Sequence, residues 1–223
     1  MTRFLDTFFH RDVLAASFPD IASGVSITAA LALAVLSTGI PLGLALALVR
    51  TIRFRPLELV IVTFADVFRA LPPLVVLVVL YFAFPFVGIE LSGFTAAWLG
   101  LGLVLAAFAE EIFWAGILSV ERGQWEAARS TGLTHADTLR EVVLPQALRL
   151  SLAPLTNRAL AISKSTALAS VIAVPEILNR ASSAQAQAAN PSPLTLAALL
   201  YLALFLPLVV LSRFLESRYA WKR

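Results

Sequence analysis

Residues 25–49 read VSITAALALAVLSTGIPLGLALALV, a run without a single charge that is closed by Arg50, Arg53 and Arg55. A helix rises 1.5 Å per residue, so about 20 apolar residues cross a hydrocarbon core roughly 30 Å thick. Inside that solvent every backbone N–H and C=O must be satisfied within the segment, which makes helix the reasonable conformation for such a run. The stretch therefore predicts a transmembrane helix, and the arginines behind it mark where the chain meets water.

Four further segments follow the same reading. Residues 57–85 form the second, interrupted by Arg69 and by Pro72-Pro73, which predict a kink or break. Residues 94–120 carry Glu110 and Glu111; residues 150–174 carry Asn157, Arg158 and Lys164; residues 194–211 form the fifth. The expected fold class is an all-α integral membrane protein with about five transmembrane helices. Its expected divisions are a periplasmic or interfacial segment at 1–24, a membrane domain at 25–215 and a cytoplasmic tail at 216–223.

Composition agrees: 59% of residues are hydrophobic and 14% charged, with a mean hydropathy of +0.86. Soluble domains carry about 25% charged residues, and a water-borne domain this apolar would expose far more greasy surface than water tolerates. The formal charge of +3 does not indicate nucleic acid, because the basic residues sit in short clusters beside apolar runs and not in a patch with interleaved aromatics. With no cysteine and only His10 and His135, a metal cluster is not expected.

Near the start, Asp6, His10, Arg11, Asp12, Pro19 and Asp20 interrupt any apolar core of the length a cleavable leader requires. Phe4, Leu5, Phe8, Phe9 and Leu14 instead suggest a short interfacial helix.

Lysine and arginine resist translocation, so their distribution orients the spans. One side receives Arg50, Arg53, Arg55, Arg122, Arg129, Arg140, Arg149, Arg213, Arg218, Lys222 and Arg223; the other has Arg3, Arg11 and Arg180. The expected topology is N-terminus outside and C-terminus in the cytoplasm of a bacterial inner membrane. Residues 182–193, rich in Ala, Gln, Asn and Pro, read as an outer surface loop.

Between the third and fourth segments lies the polar stretch GQWEAARSTGLTHADTLREVVLPQALR, residues 123–149. It reads as two short helices. The first covers about 124–131 and ends at Gly132, which relieves the left-handed conformation at a helix C-terminus. The second starts at Thr134 as N-cap with Asp137 three positions on, a relative of the capping box. Trp125 offers an anchor, and Glu126 and Arg129 are spaced for ion pairing.

Glu126-Ala127-Ala128, Gly132, and Val142 through Leu144-Pro145, preceded by Gly123-Gln124, resemble the EAA loop of ABC-importer permeases, and the longer pattern resembles the polar amino-acid permease family. Residues 107–117, AFAEEIFWAGI, are similar to that family's third-helix element. Arg69-Ala70-Leu71-Pro72-Pro73-Leu74 is similar to its RGTPLL element, and Asn157 with Lys164-Ser165-Thr166-Ala167-Leu168 to its N…KDTSL element. The resemblance covers roughly residues 20–215. It implies five membrane helices per subunit, a homo- or heterodimer of permeases, two cytoplasmic ABC ATPase subunits that use ATP and Mg, and a periplasmic solute-binding protein. It also implies that the chain binds no cofactor and has no ATPase site of its own. Gln124, Glu126, Ala127, Ala128, Gly132, Leu144 and Pro145 become the expected coupling residues, through which the ATPase acts.

A charge at the bilayer centre costs at least a few kcal/mol and needs a reason. Arg69, Glu111, Asn157, Lys164, Ser165 and Thr166 are the candidate lining of a pathway for a small polar solute, with Lys164 or Arg69 meeting a carboxylate and Glu111 an ammonium. A purely structural pair, such as Glu111 with Lys164, is the alternative. Trp114, Ser165 and Ala167 stand where the resembled family usually has Arg, Asp and Ser, which disfavours a cationic amino acid as substrate. Gly39 and Gly43 form a GxxxG spacing that lets another helix approach closely. A stand-alone secondary transporter or channel is the rival function, though no repeated halves of the kind many such folds show are visible. A membrane enzyme would need a nucleophile and base or a metal constellation, and none stands out.

Overall fold

The computed structural model describes residues 2–219, and among these it contains helices and no strand. Lys222 and Arg223 lie outside the described residues, as do the side chains of Arg3, Leu5 and Arg218. In chain order the helices are α1 (Thr2–Phe8), α2 (Arg11–Arg50), α3 (Arg55–Ala70), α4 (Pro73–Val78), α5 (Gly93–Leu118), α6 (Arg122–Ser130), α7 (His135–Thr138), α8 (Leu144–Lys164), α9 (Ile177–Ala188) and α10 (Ser192–Tyr219). Three of them, α2, α5 and α10, are long and apolar enough to cross a membrane, and two bent pairs bring the count to as many as five.

The break expected in the second segment falls at Pro72-Pro73, between α3 and α4. Pro72 has φ −58° and ψ 133°, and Pro73 opens α4. A residue before proline is pushed out of the helical region, while proline at a first helical position loses only an N–H that would be unsatisfied anyway. The two prolines thus end one helix and start the next. Beyond α4 the chain widens into a π turn (Val79–Ala83) and then tightens into a 3₁₀ turn (Phe84–Val87) that closes on Gly88 at φ +80°.

Three boundaries differ from expectation. The first span begins at Arg11 and runs 40 residues, about 60 Å at 1.5 Å per residue and twice the hydrocarbon thickness. Its early turns are held by packing: Ile21 is fully buried, a Cβ on Gly24 would lie 2.8 Å from the Ile177 backbone nitrogen, and Asp20 pairs with Arg180. Second, residues expected as an outer loop from 182 form most of α9, whose alanines and glutamines are good helix formers and whose N-terminus is capped by Glu176 accepting from the Asn179 N–H at 2.8 Å. Third, the second helix of the polar stretch is not short. Thr134 caps it as expected, accepting from the Asp137 N–H at 3.2 Å. From His135 the helix continues through a π turn (Leu139–Val143), α8 and a 3₁₀ turn (Ser165–Ile172) without a break.

The chain divides into two compact units. One takes the described residues up to 37 with 71–102 and 160–209, and the other takes 38–70, 103–159 and those from 210 on. In the first, Ile21, Ile177, Ala181 and Ala197 form a core cluster, and Glu176, fully buried, also accepts a hydrogen bond from the Tyr201 hydroxyl. In the second, the cluster is Ala47, Ala109, Phe113, Ile117, Val120, Val143 and Ala147. There a Cβ on Gly43 would sit 2.5 Å from Ala109 Cβ and 2.7 Å from the Ala106 carbonyl oxygen, so the second glycine of the GxxxG spacing is used for close approach of α2 to α5 within the chain.

Candidate functional site

All of the strongest candidates but the Lys164 group fall in the second unit. Glu110 and Glu111 are consecutive on α5 and each meets an arginine from another helix. Arg50, the last residue of α2, places Nη1 3.1 Å from Glu110 Oε1. Arg69, in the last turn of α3, places Nη1 3.1 Å from Glu111 Oε2 and 3.7 Å from Asp66. The side chains of the first pair are 13% and 0% exposed, those of the second 34% and 45%. Arg50 also lies over the Trp114 ring at 4.5 Å, and Phe108 has Arg158 over its ring at 3.8 Å and Arg69 at 5.9 Å. Such contacts favour a cation by its attraction to the negative ring face.

This gathers Arg69, Arg158, Glu111 and Phe108 into one partly accessible cluster, in which two guanidinium groups and a carboxylate are available to opposite charges. Glu111 takes Arg69 as its partner, not Lys164. Arg50 and Arg158 were not singled out as candidates from sequence. Arg50 reads only as one of the charges that stop a span, and no local pattern shows that it turns back onto a glutamate 60 positions away. For Arg158 the available signal was its place inside an apolar run.

The remaining pathway candidates are placed differently. Asn157 donates its side-chain amide to the Ala153 carbonyl at 3.1 Å. In the first unit, Lys164 is exposed, takes part in no ion pair among the described residues, and edges an apolar groove of about 430 Å³ with Tyr201, Leu202 and Phe205. Ser165 donates to the Ala161 carbonyl at 3.1 Å and the buried Thr166 to the Ser163 carbonyl at 2.7 Å.

The coupling candidates sit on α6 and the turn after it. Glu126 and Ala127 are exposed while Ala128 is buried, so the two alanines face different surroundings. Trp125 stacks on His135 with ring centroids 5.2 Å apart and packs on the core of its own unit; it anchors α6 to this chain. Glu126 and Arg129 form no ion pair among the described residues, and both line the same hollow. Gly132 has φ +92°, and nothing lies within 4 Å of where a Cβ would be. Glycine is needed there for the backbone turn and not for space. Gln124 is within 3.5 Å of Gln146. Leu144 and Pro145 follow the π turn, and Pro145, lacking an N–H, stands where the regular hydrogen-bond ladder is already displaced.

Broken spans, ionisable side chains set within apolar helices, and a helix-turn-helix joining two spans define a polytopic transport component. The chain belongs to the family of binding-protein-dependent transport system inner membrane components, whose description matches residues 39–221. It is 37% identical over 213 residues to the probable amino-acid ABC transporter permease protein YckA of Bacillus subtilis, covering 95% of this chain and 94% of that one. To the L-cystine transport system permease protein TcyB of the same organism it is 38% identical over 178 residues, covering 79% and 76%. The crystal structure of an amino acid ABC transporter with histidines superposes with a TM-score of 0.84 at 32% identity, covering 92% of this chain and 96% of that one. An inward-facing structure of the MetNI methionine ABC transporter shares the fold, with a TM-score of 0.60 at 18% identity and coverage of 94% and 95%. The chain is therefore a multi-pass permease subunit of an ABC transport system, not a stand-alone secondary transporter or channel.

Proposed function

We propose that this permease imports an amino acid or similar small polar solute handed over by a periplasmic binding protein. In this reading two cytoplasmic ABC ATPase subunits use ATP and Mg, a second permease copy or paralogue completes the path, and this chain binds no cofactor and hydrolyses nothing. The N-terminus lies outside and the C-terminus in the cytoplasm, as the arginine clusters favour. The observation that carries the reading is the exposed face of α6, with Glu126 and Ala127 outward and a turn at Gly132 that only a left-handed residue closes. Gln124, Glu126, Ala127, Ala128, Gly132, Leu144 and Pro145 transmit ATPase motion to the spans.

Arg69 and Glu111, with Asn157, Lys164, Ser165 and Thr166, serve the solute path, and Arg158 is added to them by its place beside Phe108. Guanidinium groups suit a solute carboxylate. Ser165 in place of an aspartate removes a partner that a cationic side chain would want, so a neutral or acidic solute is favoured. Co-purification from the native membrane followed by ATPase assays over a panel of amino acids tests the assignment: stimulation by one solute class supports it, and a permease that purifies without an ATPase rejects it. Glu126→Lys and Gly132→Trp are expected to abolish uptake with insertion intact; normal uptake in both removes the coupling role. Impermeant labelling of a cysteine placed at Ser183 in intact spheroplasts tests the topology.

A further inference from the structure

In the first unit, the end of α8 with the 3₁₀ turn after it and one face of α10 border a groove of about 430 Å³, within the range of about 300–1,000 Å³ usual for small-molecule sites. Its floor is Leu202, Phe205, Leu206 and Val209, and the Tyr201 ring lies nearly parallel to that of Phe205, at 13° with 6.2 Å between centroids. Among the described residues Lys164 is the one charged group on its wall, and it takes part in no ion pair. The other polar side chain there, the Tyr201 hydroxyl, is already committed: it donates to the Glu176 carboxylate and accepts from the Leu178 N–H at 3.2 Å.

The α10 residues of the groove, from 198 to 209, all fall within the apolar run 194–211. An ammonium bordering such a face is costly to leave against hydrocarbon, so the groove suits a visitor that brings an anion. One cation answers one carboxylate. A second carboxylate, as on an acidic amino acid, would meet no second cation, and a side-chain amide would lose its hydrogen bonds to water on a floor with no free partner. A cationic side chain would face Lys164 as a like charge. What fits is a carboxylate at the edge and a large apolar or aromatic side chain on the floor, where a ring gains by packing against Tyr201 and Phe205; the solute's own ammonium stays outside. An acyl chain would cover the floor and leave Lys164 unanswered. Granted that Lys164 serves the solute path, we propose that this groove is the side-chain subsite of the permease and that its solute is a neutral amino acid with a bulky apolar or aromatic side chain, its carboxylate held by Lys164.

The test uses the full-length permease with the ATPase it co-purifies with, reconstituted in nanodiscs without a binding protein, whose own selectivity would otherwise intrude. Equilibrium binding of radiolabelled L-phenylalanine is challenged with leucine, alanine, glutamine, glutamate and arginine. Burial of the ring predicts about a thirtyfold preference for phenylalanine over glutamine. Lys164→Met is expected to weaken phenylalanine binding about tenfold, and Lys164→Arg to retain it. Ala198→Trp, which fills the groove from α10, should remove the preference for phenylalanine while leaving competition by alanine unchanged. Lys164 and Ala198 are both exposed, so circular dichroism should stay helical in each variant. Binding that favours glutamine or glutamate would overturn the subsite and leave amino-acid import standing, whereas binding of no amino acid in the panel would overturn the import reading with it. Phenylalanine binding untouched by both Lys164→Met and Ala198→Trp would place the solute elsewhere and overturn the subsite too. So would full disulfide cross-linking of Leu202→Cys between two permease copies whether or not phenylalanine is present, by making the groove a subunit interface.

Discussion

Glu110 and Glu111 are neighbours on one helix, each has an arginine at 3.1 Å, and yet the two pairs occupy different environments. Glu110 is wholly covered and Arg50 nearly so, whereas Arg69 and Glu111 remain about a third to a half exposed. Equal distance does not mean equal strength. An accessible pair is worth about 0–1 kcal/mol, since water or a polar ligand competes for both partners. A covered pair gains little against an apolar replacement, but losing one member strands a charge at about 3–5 kcal/mol. Burial thus separates a pair suited to holding helices together from one that can exchange partners with a solute.

The largest effect is expected from Glu110→Ala, which leaves the covered Arg50 with only the half-exposed Glu58 at 3.6 Å and should lower stability by about 3 kcal/mol, read as a depressed melting temperature in detergent. Adding Arg50→Met should recover most of it; no recovery would mean that Glu110 acts through something other than Arg50. Gly43→Val sharpens the comparison by attacking the same neighbourhood without touching a charge. Its Cβ would meet Ala109 and the Glu110 backbone nitrogen, for an expected loss of about 1–3 kcal/mol by overpacking. Glu111→Gln should change stability by less than about 1 kcal/mol while uptake falls sharply, and Arg69→Met added to it should not restore uptake. A melting loss matching that of Glu110→Ala would collapse the distinction between the pairs. The smallest effect belongs to Thr134→Ala, which removes a helix cap worth about 1 kcal/mol and should appear as faster amide exchange confined to the first turns after His135.

Much of the fold could be read from the chain because membrane spans announce themselves by composition, and because Pro72-Pro73 and Thr134 act through local backbone rules. The misplaced boundaries share a cause. The start of α2 at Arg11 and the existence of α9 depend on contacts distant in sequence, among them Gly24 against Ile177 and Glu176 with Tyr201. Such contacts leave no period behind. For the candidate site, the expense of a charge within an apolar run marks Arg69 and Glu111 as candidates, and the structure places the two side by side. Which arginine would face which glutamate was not legible, because the residues between the partners fold into other helices. The outward and inward alanines of α6 were likewise indistinguishable until Trp125 fixed its rotation.

The π turn at Leu139–Val143 has a consequence for how such chains can diverge. It is an α-helical turn holding one residue more than the ladder needs, and each residue advances a helix by about 100° of azimuth. Deleting a single residue there would close it to an ordinary helical turn and leave the Thr134 cap and α6 near their present azimuth relative to α8, whereas the same deletion in the regular turns of α8 would swing them by about that angle. The π turn is therefore the place where this helix can lose one codon of length without re-aiming the segment before it.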